Sequence, residues 1–128
     1  GVNTSVLSTK NDTANKFIED DKNKNLVLCK YCKSKILLPK SAAYVSQEKN
    51  LPLMTQKKNF LDPESEDLLD FWEVDDMYTF ENIGFSLTKD DIKYLSCADC
   101  EMGPVGYHDL TTKKSFVALA RIEHKDSD

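Results

Sequence analysis

Four cysteines, arranged as Cys29-Lys-Tyr-Cys32 and Cys97-Ala-Asp-Cys100, carry the clearest chemistry in this 128-residue chain. A two-residue gap lets both thiolates of one tight turn point at the same ion, and two such turns complete a tetrahedron. The pattern predicts one structural zinc held by Cys29, Cys32, Cys97 and Cys100. Four sulfur ligands leave no position open for water or substrate, so the metal is expected to hold the fold rather than take part in a reaction. Two disulfides in a secreted protein are the alternative. The paired spacing, the lack of a visible secretion signal and the absence of further cysteines favour metal in a reducing cytosol. Between the pairs lie 64 residues, where a compact zinc ribbon has roughly 15–20. The intervening chain must be a folded body that brings the two turns together.

Other chemistry is sparse. With all four sulfurs committed to metal, none is left as a nucleophile. The only histidines are His108, which reads as structural, and His124, which lies in a polar tail. No phosphate-cradling glycine loop and no Ser/His/Asp arrangement is visible. These observations predict a protein that is not an enzyme. Nucleic-acid binding is disfavoured by a net charge of −5 and by eleven acidic residues against one lysine between Asp62 and Asp91. Such a face attracts a basic surface or a cation, or is simply a solvated acidic loop. No apolar run approaches the ~20 residues that span a bilayer, so no direct membrane insertion is expected.

Two features suit protein recognition. The run Asp75-Asp76-Met77-Tyr78-Thr79-Phe80-Glu81-Asn82-Ile83 mixes methionine, aromatics and acid. As a strand it would place Met77, Thr79, Glu81 and Ile83 on one face and Tyr78, Phe80 and Asn82 on the other. The plainer reading has one face in the core and the other merely solvated. Asp99 sits between two zinc thiolates at the tip of a rigid turn, where a carboxylate is pre-organised to meet a cation or basic side chain. Its plainer reading is an ordinary polar turn residue.

The elements that position these residues read as mainly β structure in a single domain stapled by metal. Residues 1–24 are polar and read as a disordered arm, with order beginning at Asn25 and a domain running over 25–123. Leu26-Val27-Leu28 and Ile36-Leu37-Leu38 flank the first cysteine pair as a hairpin whose turn is clamped by metal. Lys33 stands where such turns often place glycine for a positive φ. Ala42-Ala43-Tyr44-Val45 and Leu51-Pro52-Leu53-Met54 suggest short strands, followed by a flexible acidic loop near 56–70. Within it, Asp62-Pro63-Glu64 is a helix start for a brief helix reaching Leu68, Leu69, Phe71 and Trp72. Strands are then expected over 71–74, 77–85, 92–95, 105–108 and 115–122, with Trp72 in the core and a frayed tail over 124–128. Short strands broken by turns predict antiparallel sheets.

The layout of a β domain with two distant knuckles resembles the B-type methionine sulfoxide reductases, whose further nucleophilic cysteine or selenocysteine is missing here. More specifically, the chain closely resembles the Rab-interacting factor family, the mammalian suppressors of a yeast secretory Rab mutation. Leu28-Cys29-x-x-Cys32, Ile36-Leu37 and Leu51-Pro52-Leu53-Met54 carry the likeness, with residues 71–85, residues 92–108 and Ser115-Phe116-Val117-Ala118-Leu119. The departures are Lys33 for a usual glycine, Asp109 where cysteine can occur, and the N-terminal arm. The resemblance implies zinc-stabilised coiled β-sheets shared with the reductases and with translationally controlled tumour protein. It also implies binding to exocytic Rab GTPases, release of GDP and chaperoning of the nucleotide-free form. Asp76, Met77, Tyr78, Phe80, Glu81, Asn82, Ile83 and Asp99 are the residues it implies at the Rab-binding surface. A cytoplasmic monomer, peripheral to secretory-pathway membranes through its Rab partners, is the expectation.

Overall fold

The computed structural model describes residues 16–56, 65–86, 88 and 90–125. The chain is a mainly β, antiparallel domain. Its strands run β1 (Ile18–Glu19), β2 (Lys22–Asn23), β3 (Val27–Cys29), β4 (Lys35–Leu37), β5 (Ala43–Pro52), β6 (Thr55–Gln56) and β7 (Ser65–Val74). They continue as β8 (Ile83–Phe85), β9 (Ile92–Cys97), β10 (Met102–Gly103), β11 (Gly106–Asp109), β12 (Lys114–Ala118) and β13 (Ile122–His124). Among the described residues, eight strands form one sheet in the order β1-β2-β5-β7-β12-β11-β9-β8, three form β13-β3-β4, and β10 pairs with β6.

The large sheet is buried on both faces, and adjacent residues of β7 show why. Trp72 and Phe71 point to opposite sides of the pleat, and both are fully buried. Trp72 enters the cluster of Val27, Ile36, Leu37, Val74, Leu95, Val105 and Val117, which joins the large sheet to the three-stranded one. Phe71 enters a second cluster with Leu51, Tyr107, Phe116 and Ala118. Strands β11 and β12 approach closely at Gly106, where a Cβ would lie 1.9 Å from the Phe116 carbonyl oxygen.

Several boundaries differ from the sequence reading. Order does not wait for Asn25: residues 18–23 form the β1–β2 hairpin, and Asn23 is buried. The Asn23 side chain accepts from the Ser41 and Ala42 amides at 2.9 Å each and donates to the Asn25 and Leu38 carbonyls, also at 2.9 Å. A mostly polar segment therefore orders through the Asn23 hydrogen bonds together with the packing of Phe17 and Ile18 against the core. Residues 1–15 lie outside the described residues.

The two short strands expected at 42–45 and 51–54 are largely one, β5, paired along β7. Leu68 and Leu69 belong to β7 and not to a helix, because that strand pairs along β5, with Leu68 opposite Lys49 and Leu69 at the register shift beside it; the helix start at Asp62 falls outside the described residues. The strand expected over 115–122 breaks at Ala118 into a 3-10 turn, Leu119–Arg121. Arg121 is buried there, donating to the Pro104 carbonyl at 2.6 Å and pairing with Glu66 at 2.9 Å, so the chain crosses to the three-stranded sheet as β13. Of the tail expected over 124–128, residues 126–128 lie outside the described residues, while His124 and Lys125 bond to the domain. His124 accepts the Trp72 indole N–H at 3.0 Å and stacks on Phe17 at 3.8 Å, and the Lys125 amide donates to the Leu26 carbonyl at 2.9 Å.

Candidate functional site: the cysteine cluster and the segment it holds

The first cysteine pair lies in the turn of the β3–β4 hairpin. The Cys29 amide donates to the Ser34 carbonyl at 2.8 Å and the Lys33 amide to the Cys29 carbonyl at 3.0 Å. The second pair closes β9 and leads into β10, with the Glu101 amide donating to the Cys97 carbonyl at 2.9 Å. Lys33 has φ 66°, as its place in the turn predicts, and Glu101 has the same φ in the equivalent place. The two turns are thus copies of one backbone device built without glycine.

Together they bring four sulfurs to one point. Cys29 and Cys100 Sγ atoms lie 3.6 Å apart, Cys32 and Cys97 lie 3.5 Å apart, and all four fall within 4.8 Å of one another. An S–S bond would be about 2.05 Å. The edge of a tetrahedron with Zn–S bonds of about 2.3 Å is about 3.8 Å. The donor set and spacing fit one zinc ion. Contact with Ser34 lowers the Cys32 thiol to about 6, while burial pushes Cys97 up and Cys100 up to about 12. Thiols raised by burial become thiolates when a cation coordinates them.

The segment over 76–83 is not a strand through its first half. The Asp76 carboxylate accepts the Tyr78 amide at 2.9 Å and caps a 3-10 turn, Met77–Thr79. Aspartate competes with a sheet ladder for nearby amides in this way. The alternating faces expected for Met77 to Asn82 therefore do not form. Instead the turn leaves Tyr78 87% and Met77 40% exposed. Phe80 folds inward, edge-on to Phe85 at 6.3 Å.

The next residues are bonded to β4, the strand that leaves the first cysteine turn, and to the second cysteine turn itself. The Glu81 amide donates to the Ile36 carbonyl at 2.9 Å, and the Asn82 side chain donates to the Lys35 carbonyl at 3.0 Å. On the other side, the Ala98 amide donates to the Asn82 carbonyl at 2.8 Å, and Ile83 pairs with Cys97. Asp76, Met77, Tyr78 and Glu81 are exposed, whereas Phe80, Asn82 and Ile83 are half-buried. Asp99 is exposed at the tip of the second turn, and its carboxylate accepts a hydrogen bond from the Ser34 hydroxyl of the first. Ser34 escaped the sequence reading. Its place two residues after Cys32 signals contact with a thiolate, but nothing local signals Asp99, 65 positions away.

His108 is buried, with Nδ1 2.8 Å from the Ser115 hydroxyl, and burial lowers its pKa. It stands on β11 as a core residue, in line with the structural role read for it. Among the described residues, no helix is long and apolar enough to cross a membrane.

The Mss4 protein family model matches residues 22–124. The guanine nucleotide exchange factor MSS4 homolog of Drosophila melanogaster is 52% identical over 112 residues, covering 86% of this chain and 92% of that protein. The protein of the same name from Schizosaccharomyces pombe is 29% identical over 98 residues, covering 76% of this chain and 93% of that protein. The match reaches from the β1–β2 hairpin to His124 and takes in both cysteine turns and the segment between them, so the chain belongs to the Mss4 family.

Proposed function

We propose that the protein is a guanine nucleotide exchange factor and nucleotide-free chaperone for secretory Rab small GTPases, promoting GDP release in vesicle-mediated exocytic transport. The observation that carries this reading is the 76–83 segment, which exposes Met77 and Tyr78 while hydrogen-bonded to β4, beside the first cysteine turn, and to the second cysteine turn. Its setting supports the same reading, since relatives along most of the chain are named as exchange factors.

The mechanism is differential binding. A protein with higher affinity for a GTPase whose nucleotide site is open than for the GDP-bound form displaces GDP by mass action. Met77 and Tyr78 pack on apolar surface uncovered as that site loosens. Asp76, Glu81 and Asp99 meet basic groups there and repel phosphate. Phe80, Asn82 and Ile83 complete the surface and hold its backbone. Cys29, Cys32, Cys97 and Cys100 hold the structural zinc, which when bound supplies a rigid cross-link beneath this surface. No covalent bond forms or breaks. The protein acts as a cytoplasmic monomer that reaches secretory-pathway membranes through its Rab partners.

The test is release of fluorescent GDP from a panel of purified Rab proteins, with gel filtration of any nucleotide-free complex. Accelerated release and a stable empty complex are expected for at least one secretory Rab. A complex without acceleration would leave a zinc-stabilised binding module, and the absence of both complex and acceleration would overturn the reading. Turnover of methionine sulfoxide with a thiol donor, the outcome for a reductase, is not expected.

A further inference from the structure

We propose that Ser34 is a positioning residue for Asp99, so that the first cysteine turn sets the aim of the carboxylate on the second; the proposal rests on the exchange-factor reading above. Ser34 lies between the two turns. Its hydroxyl is 3.2 Å from Cys32 Sγ and donates to Asp99 Oδ2. A hydroxyl has one proton to give, and the structure places it on the Asp99 carboxylate.

The consequence is conformational. Asp99 is an exposed residue with two side-chain torsions, and exposed side chains of this kind sample several rotamers. A charge-assisted bond to a residue anchored in the opposite turn selects one of them before any partner arrives. Ser34 is itself anchored, because its carbonyl accepts the Cys29 amide at 2.8 Å. Selecting the rotamer in advance lowers the ordering cost of binding. The remaining carboxylate oxygen, Oδ1, is then the atom presented to a basic group of the GTPase. Ser34 need not touch the partner to affect its affinity.

The experiment is a double-mutant cycle with the full-length, zinc-loaded protein and a nucleotide-free secretory Rab, using Ser34→Ala and Asp99→Asn. Ser34→Ala is expected to weaken binding about five- to tenfold, the range of one hydrogen bond to a charged group at a partly exposed site. In the Asp99→Asn background the same change is expected to cost less than twofold. Ser34→Thr, which keeps the hydroxyl, is expected to restore affinity to within twofold of wild type. Zinc content is expected to stay at one per chain throughout. Three-bond couplings to the Asp99 carboxyl carbon supply a readout without a partner: one rotamer in the wild type, an average in Ser34→Ala. Equal losses from Ser34→Ala in both backgrounds, loss of zinc in Ser34→Ala, or an unchanged Asp99 rotamer would each overturn the proposal. If no Rab binds the wild type, the exchange-factor reading fails by itself, and the couplings still decide whether Ser34 aims Asp99.

Discussion

A carboxylate at the tip of a short turn anchored by two clustered cysteines has little freedom left to lose when it meets a partner, and this makes Asp99 the residue to test first. It is exposed, and its carboxylate is bonded to Ser34 of the opposite turn. Asp99→Ala should weaken a nucleotide-free Rab complex by more than about 1 kcal/mol while the thermal midpoint stays within a degree or two of wild type. Titration calorimetry and circular dichroism on the same samples check both halves. The residues after each cysteine pair make a second prediction. Lys33 and Glu101 hold a φ of 66° that L-residues adopt at a cost and glycine adopts freely. Lys33 also pairs with Glu123, but both side chains are largely exposed, so losing that pair matters little. Lys33→Gly and Glu101→Gly should each raise stability by about 0.5 kcal/mol, read as a higher urea midpoint.

At the scale of elements, the 76–83 segment behaves as a strap laid across the two cysteine turns. Its conformation comes from the Asp76 cap at one end and from bonds to Lys35, Ile36 and Ala98 at the other. Tyr78 is held out at the crest with 87% of its surface exposed. Tyr78→Ala should therefore leave the fold unchanged and lower affinity for the GTPase by about 1–2 kcal/mol, since aromatic side chains dominate interface energetics. Slower GDP release with unchanged melting is the expected pair of results. The strand pair β11–β12 gives the contrasting case. A Cβ at residue 106 would sit 1.9 Å from a backbone oxygen that cannot move aside. Gly106→Ala should destabilise by about 3 kcal/mol or more, visible as aggregation or a collapsed denaturant midpoint.

At the scale of the whole molecule, the cysteine cluster joins the three-stranded sheet to the eight-stranded one. Binding of a structural zinc is worth on the order of 10–16 kcal/mol and is largely folding energy. Elemental analysis should find one zinc per chain, and strong chelation should unfold the domain cooperatively with four thiols becoming reactive. A second long-range tie is His124, packed between Phe17 and Trp72. Burial, with Lys16 adding to it, lowers its pKa from 6.5 to about 4. The folded state thus disfavours the protonated ring, so this contribution is present above pH 6.5 and is lost as pH falls from 6.5 towards 4. The loss should reach about 2 kcal/mol after allowing for partial exposure of the ring. His124→Gln, which keeps an acceptor for the Trp72 N–H, should show a shallower decline over that window. Thiolate protonation acts equally in both proteins, so the difference between their stability–pH curves isolates the histidine.

How much of this was legible beforehand depended on distance along the chain. The four cysteines as a candidate metal set, the β3–β4 hairpin, the positive φ of Lys33 and the burial of Trp72 follow from spacing and composition over a few residues. The sequence by itself determined them because turn geometry and apolar burial are local demands. It also marked Asp99 and the 76–83 segment as unusual. Only the tertiary structure decided their form: a capped 3-10 turn where alternation suggested a strand, and a carboxylate held by Ser34 from the opposite turn. The same holds for the polar residues 18–23, ordered through Asn23, and for His124, drawn from an apparent tail into contact with Trp72. In each case the deciding hydrogen bond or ring contact joins positions that local pattern does not pair, and such contacts outweigh propensities worth a few tenths of a kcal/mol per residue. Asp99 and its serine show this most directly: the turn that carries the carboxylate can be read from two cysteines, but the direction in which it points depends on both.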